Sequence, residues 1–272
     1  MFVNISKEVY SRFLSRKIDR EINKSGSYWL FILGVNNSGT TILSNLVETH
    51  PEIRTLPAEG QQLTSAFPRP DILGVGRLWS SRMDVFRWSE NNSTIPALVA
   101  KKDWLKLYSK NSGILLEKSP PNTVRSLWLQ KNFNPSKFLS IVRCPYAVCE
   151  GIKRRKNYSI TQAALHWTTA NQCMLSDMSF LKHNLLIKYE DLVQDPVTTL
   201  NQVQHFLGLK SPFNHDACAQ VAAHSMEGTT TGLKNMNHAS HLRLSQNEIQ
   251  EINNICGQLM NQLGYEKVAS TC

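Results

Sequence analysis

The segment Gly34-Val35-Asn36-Asn37-Ser38-Gly39-Thr40-Thr41 has the glycine spacing of a phosphate-binding loop but lacks its lysine. Two glycines set between an apolar run and an amphipathic segment let backbone N–H groups wrap an anion at a helix N-terminus. A nucleoside-triphosphate loop ends in Gly-Lys-Ser/Thr, whose lysine reaches the β- and γ-phosphates. Here the loop ends in Gly39-Thr40-Thr41, so a simple ATPase is disfavoured while the cradle is kept. The expected ligand is a nucleotide of another kind. The loop amides, with the hydroxyls of Ser38, Thr40 and Thr41, are the expected donors to it, and Asn36 and Asn37 sit in the same turn.

Two cations end apolar runs farther on. Lys118 follows Gly113-Ile114-Leu115-Leu116-Glu117, and Arg143 follows Lys137-Phe138-Leu139-Ser140-Ile141-Val142 and precedes Pro145. An arginine so placed offers a fork of donors suited to a compact dianion. A third basic feature is the run Lys153-Arg154-Arg155-Lys156.

Taken together, Asn37-Ser38-Gly39-Thr40-Thr41, Glu117-Lys118-Ser119-Pro120, Ile141-Val142-Arg143-Cys144-Pro145, Lys188-Tyr189-Glu190-Asp191-Leu192 and Leu263-Gly264-Tyr265 resemble, in order and spacing, the sulfotransferase superfamily that uses 3′-phosphoadenosine-5′-phosphosulfate (PAPS). The resemblance implies that the loop holds the 5′-phosphosulfate and that Arg143 holds the 3′-phosphate. It also implies a three-layer P-loop NTPase-like α/β fold, its central, mainly parallel sheet flanked by helices.

Two positions depart from the family's pattern. The second 3′-phosphate ligand is usually a serine eight residues after the arginine, and here that position is Gly151, with Arg155 the replacement chosen from the basic run. Many relatives carry Lys or Arg directly before Ser-Gly-Thr, where it neutralises the leaving phosphate oxygen; here it is Asn37. Positioned cations supply much of the stabilisation of a loose transition state, so Lys118 is expected to supply that charge. Gly232-Leu233-Lys234-Asn235 resembles the late loop that closes over the nucleotide, with Lys234 as a phosphate contact.

An acceptor hydroxyl needs a base. Glu59, in Glu59-Gly60, resembles the glutamate of carboxylate-base relatives, and enclosure by apolar loops would raise its pKa towards ~6–7. His50, His166 and His224 are the alternatives, since other branches use histidine. Trp167 reads as core rather than an adenine platform. The stretch 58–104, rich in prolines, glycines and aromatics read as exposed (Phe67, Trp79, Phe86, Trp88), is expected to form an irregular substrate cap, with Phe67, Trp79 and Trp88 lining the acceptor pocket.

The elements that must position these groups are legible as apolar runs alternating with helical patterns, which argues for an α/β fold with a parallel sheet. Tyr28–Leu33, the two runs above and Asn184–Tyr189 read as buried strands. Ligands in such sheets sit beyond the carboxyl ends of the strands. Asp195-Pro196 opens a helix closed by Gly208, and Ser245-x-x-Glu248 is a capping box for a helix ended by Gly264.

The 272 residues suit a single domain over 1–272. A 41% apolar and 19% charged composition is that of an ordinary globule, and the net charge of +9 suits a polyanionic ligand. No run approaches the ~20 apolar residues of a membrane span. Six cysteines without Cys-x-x-Cys spacing indicate neither a zinc site nor a disulfide framework. The N-terminal stretch has no apolar leader core, so a cytoplasmic location is expected. The expected reaction is sulfuryl transfer from PAPS to a hydroxyl or amine of a small-molecule acceptor, a secondary metabolite, without metal, nucleic acid or membrane. A P-loop phosphotransferase using ATP and magnesium, and a non-catalytic nucleotide-binding relative, are the competing readings.

Overall fold

Tyr28–Leu33 is an unbroken apolar hexapeptide, the pattern of a strand covered on both faces. The computed structural model describes residues 2–109, 112–156, 158–214 and 235–268, and places this run at the centre of a five-stranded parallel sheet. In chain order the elements are α1 (Phe2–Lys24), β1 (Tyr28–Leu33), α2 (Thr40–Glu48), β2 (Ile53–Thr55), α3 (Met83–Phe86), α4 (Ile95–Leu105), β3 (Ile114–Lys118), α5 (Ser126–Asn132), β4 (Ser136–Val142), α6 (Pro145–Lys156), α7 (Ile160–Met178), β5 (Asn184–Lys188), α8 (Tyr189–Gln194), α9 (Pro196–Leu207), α10 (Asn237–His241) and α11 (Gln246–Gln262).

The strand order β2-β3-β1-β4-β5 puts β1 between β3 and β4. Side chains alternate along a strand, so β1 feeds two cores. Trp29, Phe31 and Leu33 pack with Phe138 and with Trp104, Trp128, Val148, Trp167 and Ile252 on one face. Leu30 and Ile32 pack with Leu43, Leu46 and Val47 of α2 and with Leu200, Val203 and Leu207 of α9 on the other. This is the expected three-layer α/β arrangement. The chain runs from β1 to strands on either side of it, so the loops after β1, β3 and β4 meet at one edge.

The signalled helix ends are in place. Asp195 Oδ1 accepts from Thr198 N at 3.0 Å, and Gly208 closes α9 in the left-handed region at φ 73°. Ser245 and Glu248 form a reciprocal capping box at the start of α11. Phe2–Lys24, unassigned from sequence, forms α1, anchored on α4 by a buried ion pair of 2.6 Å between Asp19 and Lys101. Burial pulls the Lys101 ammonium down to about 8.

The stretch 58–104 differs from its expectation. Phe67, Trp79 and Phe86 are buried, Trp88 is half-buried, and α4 runs through the segment's last third. These aromatics join the core, with Phe67 against Trp88, Trp104 and Trp128. Phe67 and Trp88 turn inward over a charge: the fully buried Arg125 lies 4.4 Å from the Phe67 ring centre and 5.4 Å from that of Trp88, and the ring faces cover its guanidinium.

Candidate active site

Between β1 and α2 the loop is braced from within. Ser38 is fully buried; its amide and its hydroxyl both donate to Val35 O, at 3.1 and 2.7 Å. Gly34 N donates to Thr123 Oγ1 at 2.8 Å. Gly39 caps α2 in the left-handed region at φ 100°, and a Cβ there would stand 2.7 Å from Tyr189 Cδ2. The first-turn amides of a helix have no intrahelical acceptor, so the α2 N-terminus faces the neighbouring cavity as a set of donors. Asn36, Asn37, Gly39, Thr40 and Thr41 line that cavity. Ser38 does not, which corrects its expected role: its hydroxyl is spent on shaping the loop.

Arg143, directly after β4, lies 3.9 Å over the Tyr189 ring, donates from Nη1 to Asn37 O at 3.0 Å and from Nε to Asn237 Oδ1 at 2.8 Å. Burial pulls its guanidinium below the usual arginine range, with Tyr189 and Glu190 opposing that shift. Glu190 ties the motifs together, accepting from Cys144 N at 3.0 Å, Asn237 Nδ2 at 2.6 Å and the Tyr265 hydroxyl at 2.9 Å. Segments distant in sequence therefore fix one arginine at the cavity wall.

At the end of β3, Lys118 Nζ lies 3.1 Å from Glu59 Oε1 and 3.5 Å from Thr41 Oγ1. The Glu59-Gly60 turn is pinned from below. The buried Glu117 accepts from Gly60 N at 2.9 Å and also from Ser119 Oγ and Asn122 Nδ2, while Trp104 Nε1 donates to Gly60 O at 3.0 Å. A Cβ on residue 60 would stand 2.6 Å from Glu117, so only glycine fits between this carboxylate and Trp104. Glu59 itself is a quarter exposed and paired with Lys118, so the apolar enclosure expected of it is replaced by an ion pair.

The cavity, of about 210 Å³, gathers Lys118, Glu59, Arg143, Gly151 and Arg155 as well as the loop. Its charged lining consists of Arg77, Lys118, Arg143, Arg154, Arg155 and Arg243 against Glu59 and Glu150, a balance that favours a polyanion. Glu150 neutralises part of it by accepting from Arg154 at 2.8 Å and Arg243 at 2.7 Å. Lys234 and His224 lie outside the described residues.

Phe67, Trp79 and Trp88, assigned from sequence to the acceptor, do not line this cavity: two cover Arg125, and Trp79 Nε1 donates to Asn36 Oδ1 at 2.8 Å. The histidines are likewise elsewhere. His50 Nε2 meets Ser211 O at 3.0 Å, and the buried His166 meets Ser80 Oγ at 2.6 Å. Trp167 is core, as expected, with its Nε1 on Arg143 O at 3.0 Å.

Sequence reading missed Arg77, Glu150, Arg243 and Asn237. Arg77 sits in an aperiodic Gly-Val-Gly-Arg stretch that carries no local signal. Asn237 and Arg243 lie beyond the last recognised loop, and tertiary contacts connect them to the cavity: Asn237 with Arg143 and Glu190, and Arg243, on the cavity wall, with Glu150.

The family model described as "Sulfotransferase family" matches residues 30–214. The chain belongs to this family. It is 28% identical over 198 residues to protein-tyrosine sulfotransferase 2 of Gallus gallus, covering 66% of this chain and 51% of that protein. It is 34% identical over 95 residues to human carbohydrate sulfotransferase 2, covering 32% of this chain and 18% of that protein. The chain thus spans about half the length, or less, of these curated relatives.

Among solved structures, the sulfotransferase domain from the curacin biosynthetic pathway matches with a TM-score of 0.51 at 20% identity, covering 88% of this chain and 98% of that one. Mouse sulfotransferase SULT7A1 complexed with PAP matches with a TM-score of 0.50 at 15% identity, covering 86% and 85%. At these identities the structures establish the sulfotransferase fold for the chain. The family match spans the loop, Lys118, Arg143 and Glu190.

Proposed function

We propose that this chain transfers the sulfuryl group of PAPS to an acceptor hydroxyl by in-line displacement. The observation that carries the reading is the Lys118–Glu59 pair. It lies on the wall shared by the basic cavity and a second groove of about 210 Å³, lined by Thr41, Ser44, Asn45, Glu48, Thr55 and the 56–59 segment.

The donor set fits a nucleotide carrying anions at both ends. The α2 amides with Thr40 and Thr41 suit the 5′-phosphosulfate, while Arg143, with Arg155 across the cavity, suits the 3′-phosphate. Glu59 takes the acceptor proton as the acceptor O–S bond forms and the S–O bond to the phosphate breaks. The charge left on the departing oxygen of 3′-phosphoadenosine-5′-phosphate (PAP) meets the Lys118 ammonium. Side-chain cations supply the positive charge, so the reading includes no metal.

The groove sets hydroxyl, amide and carboxylate groups beside Leu56, Pro57, Ala58 and Leu116, a mixed lining that suits a small molecule hydroxylated or bearing an amine, and a secondary metabolite is the acceptor class favoured here. A second reading, a peptide tyrosine, is supported by the similarity to the chicken protein. A reducing, cytoplasmic setting accords with the free Cys144, Cys149, Cys173 and Cys256. The test is PAP release from PAPS with a panel of phenols, sugars, amines and tyrosyl peptides, in EDTA. Acceptor-dependent release supports the reading; ATP–magnesium consumption in its place would point to a phosphotransferase.

A further inference from the structure

Asn37 leaves the loop without the cation that many relatives carry directly before Ser-Gly-Thr, yet the position is not without a guanidinium. Arg77, forty residues away in sequence, donates from Nη1 to Asn37 Oδ1 at 2.7 Å. It is half-buried and lines the basic cavity together with Lys118, Thr40 and Thr41. Among the described residues this is the one hydrogen bond its guanidinium makes, which leaves further N–H groups for a ligand.

We infer that Arg77 supplies the missing loop cation, reaching the 5′-phosphate of the nucleotide from the 58–104 segment. The inference rests on the PAPS reading above.

The loop is built to receive it. Asn37 sits in the left-handed region at φ 67°, a conformation asparagine tolerates better than most residues. Its backbone carbonyl takes Arg143 at 3.0 Å while its side-chain carbonyl takes Arg77, so one residue bridges the two guanidiniums. Its neighbour Asn36 is held the same way, by Trp79 Nε1 at 2.8 Å, and Ser80 is tied to His166 at 2.6 Å. Arg77 and Trp79 thus dock on the phosphate loop through two side chains while Ser80 ties the same turn to α7, and Arg77 is delivered on a fixed support.

The departure at residue 151 belongs to the same arrangement. The Asn37 amide nitrogen is buried and without a partner, and a Cβ on residue 151 would stand 3.0 Å from it. The glycine makes room for the amide whose carbonyl end carries Arg77. Desolvation lowers the Arg77 guanidinium, and Arg155 lowers it further while Glu59 opposes the shift; an incoming phosphate would relieve the repulsion between these two arginines.

The test compares calorimetric affinities for PAP and for 3′-AMP, which lacks the 5′-phosphate. In the unaltered chain PAP binds more tightly. Arg77→Gln keeps a donor for Asn37 but no charge, and is expected to cut that preference about ten- to a hundredfold, leaving 3′-AMP affinity in place. Arg77→Lys retains most of the preference, and adding Asn37→Lys to Arg77→Gln restores it. An undiminished preference in Arg77→Gln would overturn the inference while leaving the PAPS reading intact. If Arg77→Gln binds neither nucleotide, recovery of the preference in the Asn37→Lys, Arg77→Gln pair upholds the charge role and its failure overturns it. Failure of the unaltered chain to bind PAP would overturn both readings.

Discussion

Lys118 Nζ and Glu59 Oε1 stand 3.1 Å apart where the basic cavity meets the second groove, so a carboxylate and a cation share the junction at which the proposed donor and acceptor would meet. Lys118→Ala is expected to lower kcat at least ~100-fold, the scale of losing a charge stabiliser that acts in the transition state. PAP affinity should change by no more than about tenfold. Steady-state rates with an acceptor from the panel, beside PAP titrations, separate the two effects, and near-normal turnover would remove Lys118 from the chemistry.

Glu59→Gln keeps the size and hydrogen-bonding shape of the side chain and removes the base. Turnover should fall about 100- to 10,000-fold with PAP binding retained, because Gly60 is held by Glu117 and Trp104 independently of the Glu59 side chain. A rate within tenfold of the unaltered chain would send the search for the base elsewhere.

Acid should loosen the segment that carries Arg77. Burial against Trp79 holds His166 neutral and pushes its pKa down to about 3, and its Nε2 is buried without a partner. An unfolded chain has an ordinary histidine near 6.5. The folded pKa is the depressed one, so the unfolded state binds the extra proton: stability is full above ~6.5 and falls as pH drops towards ~3, by about 2 kcal/mol at pH 5. Urea unfolding at pH 7.5 and 5.0 should show a smaller acid loss in His166→Gln than in the unaltered chain. Equal losses would mean that His166 is not held neutral.

Phe67→Ala should cost about 3–5 kcal/mol of stability, since the ring is buried among Trp88, Trp104 and Trp128 and covers Arg125. The acceptor KM should be unchanged. A raised KM with unchanged denaturant midpoint would return Phe67 to the acceptor pocket.

What the sequence revealed follows from locality. A glycine pattern, a strand-end lysine and a strand-end arginine are local signals, and the parallel sheet brings Gly39, Lys118 and Arg143 to one cavity. Exposure is not local: Phe67 and Trp88 read as surface aromatics because nothing nearby announces that Arg125 will lie over them. The direction of a hydroxyl is not local either, so Ser38 and Thr40 looked alike, although Ser38 turns back to Val35. Arg77 was invisible because its partner lies forty residues earlier. The helix α1 escaped because its buried positions include Ser11, Ser15 and Asp19, and its exposed ones Val9, Tyr10 and Phe13, which blurs the apolar stripe.

Thermal unfolding with PAP, 5′-AMP and ATP–magnesium in parallel probes the PAPS-nucleotide site. A ligand at a hundred times its Kd adds ~2.7 kcal/mol, a rise of roughly 5–10 °C in Tm for a chain of this size. That rise is expected with PAP in EDTA, little with 5′-AMP or ATP–magnesium, and its loss in Arg143→Ala once that variant is shown to fold. A rise with ATP–magnesium alone, or an equal one with 5′-AMP, would contradict a PAPS-nucleotide site.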